Sequence, residues 1–333
     1  MKVLFIGGTG IISSAISRLA VERGIDLVLF NRGRNLQSVP ANITVLAGDY
    51  RDPQDRQKLL GDQQFDVVVD WIAFTPEQVR EDIEIFSGRT AQYIFISSAS
   101  AYQKPATQYL ITESTPLANP FWQYSQAKIA SELELMAAYR QRGFPVTVVR
   151  PSHTYGDWSI PVALNSSARP WSIVDRMRRG EQVIVHGDGS SLWTVTHNSD
   201  FAKAFIGLMG NPQSLGHAFH ITSDEVLTWN QIYEILGHAA GARPHIIHIP
   251  SDFIGTCEPA LAGGLLGDKA TSVVFDNTKI KHLVPGYHAS VSFAEGIRQT
   301  LRWFEEEDHP ERRLTDEAWN TSMDRIISLY ERA

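Results

Sequence analysis

The sequence of 333 residues predicts an α/β fold built on a doubly wound parallel sheet, with a smaller C-terminal substrate-binding domain. Short apolar runs alternate with segments of helical periodicity up to Pro151, and such runs are typical of strands buried on both faces. After Pro151 this alternation ends, and Pro, Trp, Gly and Ser become frequent. We therefore expect the N-terminal half to form the sheet, and the second region to lie at the carboxyl ends of its strands.

The predicted elements follow one another in a regular order. Six strands are predicted at 2–7, 26–30, 43–48, 65–73, 91–98 and 145–151, and the helices between them at 10–24, 52–61, 75–88 and 121–142. The C-terminal region contains three further helical patterns, at 228–242, 292–308 and 316–333. Strands that alternate with amphipathic helices in this way predict a parallel sheet covered on both faces.

Composition and charge narrow the class of protein. The net charge of −7 and the pI near 5.9 provide no basic surface for nucleic acid or for anionic lipid. No apolar run has the length of about 18 residues that a membrane span needs, and the start, MKVLFIGGTG, is interpreted as a buried strand rather than a signal peptide. Cys257 is the single cysteine, so we expect a cytoplasmic protein without disulfides, and no spacing of residues predicts a metal site.

A glycine-rich stretch, GGTGIIS at 7–13, lies at the predicted turn from the first strand into the first helix. Gly7 permits a tight turn and Gly10 lets the main chain approach a pyrophosphate, while the helix start supplies unpaired N–H groups and partial positive charge. The pattern has a third glycine where this sequence has Ser13, a residue small enough for close helix packing. We expect a dinucleotide to bind here; the alternative is a glycine-rich turn without a ligand. The candidate contacts are Gly7, Thr9, Gly10, Ile11 and Ile12.

The second strand ends in NRGR at 31–34, where dinucleotide-binding proteins distinguish NAD from NADP. An acidic residue would bind the 2′-hydroxyl of NAD, but the sequence has Asn31, Arg32 and Arg34. Guanidinium groups suit a 2′-phosphate, so NADP is the favoured cofactor and NAD the alternative; the stretch could also be a solvated basic turn. After the third strand, Asp49 is a candidate acceptor for the adenine amino group, with Tyr50 beside it, or else a cap of the next helix.

Seven motifs in family order resemble the short-chain dehydrogenase/reductase superfamily, in its extended branch of NAD-dependent epimerases and dehydratases. The motifs are GGTGIIS, GDYRD, IFISSASAY, YSQAK, RPSHTYG, VHGDGSSLW and FDNTKIKHLVP. NRGR is also similar to an atypical subgroup that includes the chloroplast stem-loop RNA-binding proteins. The resemblance implies an NAD(P)-binding Rossmann domain of residues 1–165 and 194–222 and a substrate domain of residues 166–193 and 223–333. It also implies a homodimer through helices near 76–87 and 121–142.

The same resemblance assigns catalysis to Tyr124 and Lys128 of YSQAK. Residues four apart share a helix face, so Lys128 can hold the cofactor ribose while its charge lowers the pKa of the phenol. A phenol with a lowered pKa is a usable acid and base near neutrality. Ser98 would hydrogen-bond the substrate oxygen, because the family serine stands four residues before a tyrosine, here Tyr102. Ser97 competes for this role and is otherwise a cofactor contact.

The remaining site residues follow from the resemblance as well. It places Ile72, Ala73, Pro151, Ser152 and His153 against the cofactor, and Phe74 and Ser100 against the substrate. Trp193 stands where many sugar-nucleotide relatives carry an arginine for the diphosphate. An indole suits a sugar-ring face better than a pyrophosphate, so we expect Trp193 in the substrate site. The alternative is that Trp193 is core and that a diphosphate binds Arg169, Arg176 or Arg178.

The expected reaction is hydride transfer at a secondary alcohol or ketone of a sugar-like substrate without a nucleoside diphosphate. Ala99 and Ser100 replace the Asp-Glu pair of the 4,6-dehydratases, which disfavours dehydration, and Cys257 lies away from the motifs. Net oxidoreduction and 4-epimerisation of a UDP- or dTDP-sugar with retained NAD both stay open. A non-catalytic dinucleotide- or RNA-binding protein on the same fold is the third alternative, although the acidic charge makes nucleic acid an unexpected partner.

Overall fold

The computed structural model describes residues 1–333, apart from the side chain of Ser38. Its strands are β1 (Lys2–Ile6), β2 (Asp26–Asn31), β3 (Thr44–Ala47), β4 (Phe65–Asp70), β5 (Thr90–Ile96), β6 (Leu110–Ile111), β7 (Val146–Pro151), β8 (His153–Tyr155), β9 (Gln182–His186), β10 (Leu192–Trp193), β11 (Val195–His197), β12 (Ala218–Ile221), β13 (Leu227–Thr228), β14 (His245–Ile249) and β15 (Val274–Phe275). Its helices are α1 (Ile11–Glu22), α2 (Pro53–Leu60), α3 (Pro76–Phe86), α4 (Gln123–Arg142), α5 (Ser172–Arg178), α6 (Asn198–Leu208), α7 (Trp229–Ala239), α8 (Ser251–Cys257), α9 (Pro259–Gly264), α10 (Thr278–Leu283), α11 (Phe293–Glu305) and α12 (Glu317–Tyr330).

The central sheet has seven strands in the order β12-β7-β5-β4-β1-β2-β3, and every pairing within it is parallel. The predicted fold class is therefore confirmed, and each of the six predicted strands is present. The seventh strand, β12, was not predicted, because AFHI at 218–221 is short and carries a histidine. The strand order reverses between β1 and β4, and ligands of such sheets bind in the crevice at the carboxyl ends of the strands flanking this point.

Helices cover both faces of the sheet. On one face α1 packs beside α6, over a core that includes Phe5, Leu29 and Phe205. On the other face α3 packs beside α4, over Phe30 and Phe95. Because both faces are covered, the strands can be apolar almost throughout, which explains the continuous apolar runs in the sequence.

Local sequence determines where the helices on the second face begin and end. Pro76 occupies the first position of α3, and the Thr75 hydroxyl accepts from the N–H of Gln78 while the Gln78 side chain returns to the N–H of Thr75. Gly143 ends α4 in the left-handed conformation, at φ 67°. These signals are local, so the start of α3 and the end of α4 lie within two residues of the predicted positions.

The C-terminal region has its own core of aliphatic and aromatic side chains, many of them from α5, α7, α11 and the short strands from β8 to β11. It contributes only β12 to the large sheet. Two-stranded pairs, β9 with β14 and β10 with β13, build the rest of its framework. Among the described residues, no helix is long and apolar enough to cross a membrane. The boundaries of the two predicted domains stay predictions.

Candidate active site

A cleft of about 510 Å³ opens at the carboxyl ends of β1, β4, β5 and β7. This is the edge of the sheet where the strand order reverses. The cleft is lined by residues of the glycine loop, of the segments after β4, β5 and β7, and of α4: Gly7, Gly8, Thr9, Gly10, Ile11, Ile12, Ser13, Asn35, Trp71, Ile72, Phe74, Ile96, Ser97, Ser98, Tyr124, Lys128, Pro151 and Ser152. Most of the residues predicted for cofactor and catalysis therefore share one cavity.

The glycine loop fits a phosphate group through its main chain. Gly7 and Gly8 have φ values of 93° and 87°, which favour glycine, and a Cβ on Gly8 would approach Leu29 to 2.8 Å. Ile11 and Ile12 begin α1, so their N–H groups have no partner within the helix. A dinucleotide pyrophosphate placed there would meet N–H donors and the positive end of the helix dipole.

Ser13, which replaces the third glycine of the pattern, makes hydrogen bonds of its own. Its buried hydroxyl accepts from the N–H of Gly10 at 2.8 Å and lies 3.3 Å from the carbonyl of Gly10. The hydroxyl therefore ties the end of the glycine loop to the first turn of α1. A third glycine could not make this contact, and the spacing of the glycine pattern did not predict it.

The segment after β2 lies farther along the same edge. Asn31 holds the loop: its side chain donates to the carbonyl of Gly7 at 3.2 Å and accepts from the N–H of Gly33 at 2.8 Å. Arg32 and Arg34 are exposed and do not line the cleft. Their position at the carboxyl end of β2 is nevertheless the one from which an adenosine ribose is contacted in this architecture.

Two residues predicted for the adenine end differ in accessibility. Asp49 is exposed, and its carboxylate accepts from the N–H of Arg51 at 3.0 Å. It does not cap α2, because that cap is Asp52. The Tyr50 side chain is buried in the core and donates to the Asp82 carboxylate at 2.7 Å, so only its main chain is placed to meet a cofactor.

Lys128 reaches the floor of the cleft from α4. Its ammonium donates to the carbonyls of Ala73 and Ile96, each at 2.7 Å, and lies 4.6 Å from the ring centre of Phe74. An ammonium has three N–H donors, so one remains for a ligand. Burial lowers the pKa of Lys128 to about 8, against the opposing effect of the carboxylates of Asp70 and Glu132.

Tyr124 lies one helical turn before Lys128. Burial raises the pKa of its phenol, hydrogen bonding with Ser98 lowers it, and the Asp268 charge raises it. The expectation that Lys128 lowers this pKa is therefore not met in the cofactor-free chain. The Lys128 ammonium lies 5.8 Å from the Tyr124 ring centre, and its described hydrogen bonds go to main-chain carbonyls.

The four serines near Tyr124 make different hydrogen bonds. The Ser98 hydroxyl lies 2.8 Å from that of Ser100, which in turn accepts from Ser125 at 2.7 Å. This chain of hydroxyls orients Ser98 toward Tyr124. The Ser97 hydroxyl is instead bonded to the buried carboxylate of Glu132, so the geometry favours Ser98 over Ser97 as the partner of a substrate oxygen.

The cleft continues into a smaller pocket of about 240 Å³ on the far side of Tyr124. Its walls are Ser98, Ala99, Ser100, Trp122, Tyr124, Pro151, Ser152, His153, Asp268 and Lys269. Burial, and then the Lys269 charge, lower the pKa of His153 to about 3, so its imidazole is neutral there. None of Trp122, Asp268 and Lys269 was predicted as a site residue. Asp268 and Lys269 stand about 140 residues after Tyr124, in a stretch without a recognisable motif.

Trp193 does not join this pocket, which corrects the sequence-based expectation. Its side chain is 2% exposed and packs against Trp229 in the C-terminal core, with ring centres 5.2 Å apart. Trp193 is therefore a core residue, as the alternative interpretation stated. The three arginines named with that alternative do not line the site either: Arg176 is bonded to Asp324 and Arg178 to Glu305, and Arg169 is exposed elsewhere.

The fold and the cleft define a dinucleotide-binding enzyme of the hydride-transfer class. The model of the NAD dependent epimerase/dehydratase family matches residues 3–222, and the chain belongs to this family. The predicted membership of the extended short-chain dehydrogenase/reductases is thereby confirmed, as is an NAD-dependent enzyme. Among the described side chains, no group of three or more His, Cys, Asp or Glu residues is arranged to hold a metal ion.

The chain is similar to several curated relatives and shares its fold with solved structures. The chain is 26% identical over 267 residues to the chloroplast stem-loop binding protein of 41 kDa b of Arabidopsis thaliana, covering 76% of this chain and 67% of that one. It is 23% identical over 289 residues to 2'-dehydrokanamycin reductase of Streptomyces kanamyceticus, covering 86% and 80%. A UDP-glucose 4-epimerase from Thermotoga maritima, solved with UDP-glucose, shares the fold with a TM-score of 0.73 at 20% identity, covering 92% and 99%.

Proposed function

We propose that this protein transfers a hydride between NADP and a secondary alcohol or ketone of a small sugar-like substrate, with Ser98, Tyr124 and Lys128 as the catalytic residues. One observation carries the proposal: these three side chains converge at the carboxyl edge of the sheet, in the same cleft as the glycine loop. The similarity to a 2'-dehydrokanamycin reductase supports net reduction or oxidation of a sugar ketone or alcohol.

The roles follow from the contacts. A bound dinucleotide would supply the hydride acceptor or donor. Tyr124 takes the hydroxyl proton when the alcohol is oxidised and returns it when the ketone is reduced. Ser98 donates to the same oxygen, and its own orientation is held by Ser100. Lys128 uses its third N–H on the cofactor ribose, and its charge then favours the phenolate of Tyr124.

The cofactor would be held along the edge of the sheet by the predicted contacts. The loop of Gly7, Thr9, Gly10, Ile11 and Ile12 would hold the pyrophosphate. Asn31, Arg32, Arg34, Asp49 and the main chain of Tyr50 would hold the adenosine end, and Ile72, Ala73, Ser97, Pro151, Ser152 and His153 the nicotinamide end. The exposed guanidiniums of Arg32 and Arg34 support NADP over NAD, because a 2′-phosphate carries the charge they need.

The substitution Tyr124→Phe tests the assignment. It removes the acid and base but keeps the ring that packs on Trp122, with ring centres 4.8 Å apart. We expect turnover to fall at least about a hundredfold while dinucleotide binding persists. Tyr330→Phe, in α12, is the matched control and should retain full activity. Near-normal turnover in the Tyr124 variant would overturn the catalytic assignment.

Two alternative functions differ in the ligand that the protein would retain. A 4-epimerase with retained NAD would release that cofactor on denaturation, which mass spectrometry detects. An RNA-binding protein, suggested by the name of the Arabidopsis thaliana relative, would retain structured RNA in a filter-binding assay. The net charge of −7 and the complete Ser98, Tyr124 and Lys128 set favour the enzyme.

The proposal extends to assembly and location. We propose a homodimer through α3 and α4, since Leu133 on α4 is 61% exposed and a groove between the helices is lined by Ile85 and Ala137 together with charged side chains. Sedimentation would test this assembly. We also propose a cytoplasmic location, because the single cysteine suits a reducing compartment.

A further inference from the structure

We propose that the turn Leu265–Lys269 forms an anion-binding subsite beside Tyr124, so that the substrate carries a carboxylate or a phosphate close to its reacting carbon. This inference rests on the proposed function, since it describes the substrate of the same site. It adds a chemical class, a small anionic sugar derivative or hydroxy acid, and a residue that selects it, Lys269.

The turn is unusual in its backbone and is held firmly. Residues Leu265–Lys269 form a π-helical turn, a conformation that occurs frequently at functional sites. The carbonyl of Lys269 lies 3.0 Å from Nε2 of His186 and accepts from the indole N–H of Trp229 at 3.2 Å. Two aromatic side chains of the C-terminal core therefore fix the position from which the Lys269 side chain extends.

Glycines let this turn approach the pocket. A Cβ on Gly267 would lie 2.8 Å from Cβ of Trp122 and 3.0 Å from the Asn119 side chain. A Cβ on Gly263 would lie 2.5 Å from the Trp122 ring. Any larger residue at these positions would push the turn away from Trp122 and so away from Tyr124. The close packing brings Asp268 and Lys269 into the wall of the pocket.

The charges at the turn leave it positive. The Lys269 ammonium lies 3.6 Å from the Asp268 carboxylate, and the buried ammonium of Lys104 interacts with both residues. Two lysines thus stand against one carboxylate; of these, Lys269 and Asp268 line the pocket, while burial lowers the pKa of Lys104. The imidazole of His153 adds no charge, because burial and Lys269 lower its pKa to about 3. A substrate anion would complete the balance of charge.

Lys269 is placed where an anion would be bound strongly. Its side chain is only 16% exposed, and its ammonium lies 5.9 Å from the ring centre of Trp122, which itself packs on Tyr124. Partial removal of water strengthens a charge-assisted contact relative to one on the open surface. The pocket of about 240 Å³ suits a group of monosaccharide size rather than a nucleoside diphosphate.

The neighbouring groove offers no cationic side chain to a diphosphate. It adjoins the turn at Ala270 and is lined mostly by hydroxyl and small side chains, including Thr107, Ser190 and Ser272, with Tyr109 exposed at its rim. None of the described residues that line it is a lysine or an arginine. This difference favours an anion carried by the small substrate itself, within reach of Lys269.

Equilibrium binding to the Tyr124→Phe variant, with NADP+ or NAD+ present, tests the subsite without turnover. The probes are D-glucuronate and D-gluconate as carboxylates, glucose 6-phosphate as a phosphate, D-glucose as the neutral control, and UDP-glucose. We expect at least one carboxylate or phosphate probe to bind roughly ten- to a hundredfold more tightly than D-glucose, the effect of one charge-assisted contact. The further substitution Lys269→Met should abolish this difference. Lys281→Met removes a surface lysine that is ion-paired to Asp224 and should leave it intact.

The outcomes separate the subsite from the catalytic proposal. Comparison of the carboxylate and phosphate arms identifies which anion is recognised. Equal affinity for D-glucose and every anion, no effect of Lys269→Met, or tight binding of UDP-glucose alone would overturn the subsite. Selective anion binding that depends on Lys269, together with no hydride transfer by the wild-type protein on the anion that binds, would support the subsite and instead count against the proposed function.

Discussion

The buried ammonium of Lys128 should make stability depend on pH in a definite window. Burial lowers its pKa from an ordinary 10.5 to about 8 in the folded, cofactor-free chain. Each unit corresponds to about 1.4 kcal/mol, so charged Lys128 costs the folded state about 3 kcal/mol. The folded state binds fewer protons than the unfolded state between these two pKa values. The free energy of unfolding therefore rises as the pH increases through this window, and the cost is fully present below about pH 8.

The substitution Lys128→Met removes the titrating group. Urea denaturation between pH 7.5 and 10.5, without cofactor, should show the wild type gaining about 3 kcal/mol relative to the variant across this range. Buried tyrosines also titrate at high pH, but they are present in both proteins and cancel in the difference. Leu133→Met, at an exposed position of the same helix, removes no titrating group and should remain parallel to the wild type. If the free energies of unfolding of the wild type and of Lys128→Met changed in parallel with pH, the argument would be refuted.

Two further predictions concern the cofactor and the core. Arg32→Ala should weaken NADP(H) binding about tenfold or more and leave NAD(H) binding unchanged, since it removes a partner of the 2′-phosphate; titration checks this, with exposed Arg298→Ala as control, and a wild-type preference for NAD(H) would contradict it. Asp82→Leu should destabilise the fold by about 2–6 kcal/mol, because the buried hydroxyls of Tyr50 and Tyr93 lose their acceptor. Asp82→Asn should cost less than Asp82→Leu, since the amide oxygen still accepts from one of the two hydroxyls; equal losses of unfolding free energy in the two variants would argue against this.

The sequence predicted most of the sheet because its signals are local and periodic. The apolar runs of β1, β2, β4, β5 and β7 are buried on both faces, and a buried strand must be apolar wherever it lies in the sheet. The strand β12 has four residues, AFHI, and it is a strand because it pairs with β7 rather than because of its own pattern. Pairing partners far apart in sequence are not visible in a single chain.

The candidate site likewise contains residues that local sequence predicts and residues whose place depends on long-range packing. Tyr124 and Lys128 were predictable because one helix holds both at fixed spacing. Lys269 was not, because its place depends on a π-helical turn and on the packing of Gly267 against Trp122. Trp193 was placed wrongly because β10 has only two residues, and the direction of its side chain is set by packing on Trp229.

The position of the π-helical turn along the chain has an evolutionary consequence. The glycine loop, Ser98, Tyr124 and Lys128 all lie within residues 3–222, the part that matches the family, whereas the turn follows about forty residues later. If the turn binds the substrate as proposed, mutations in that stretch would alter which substrate binds and leave the glycine loop, Tyr124 and Lys128 unchanged. Substrate choice and hydride chemistry would then be encoded in separate parts of the gene.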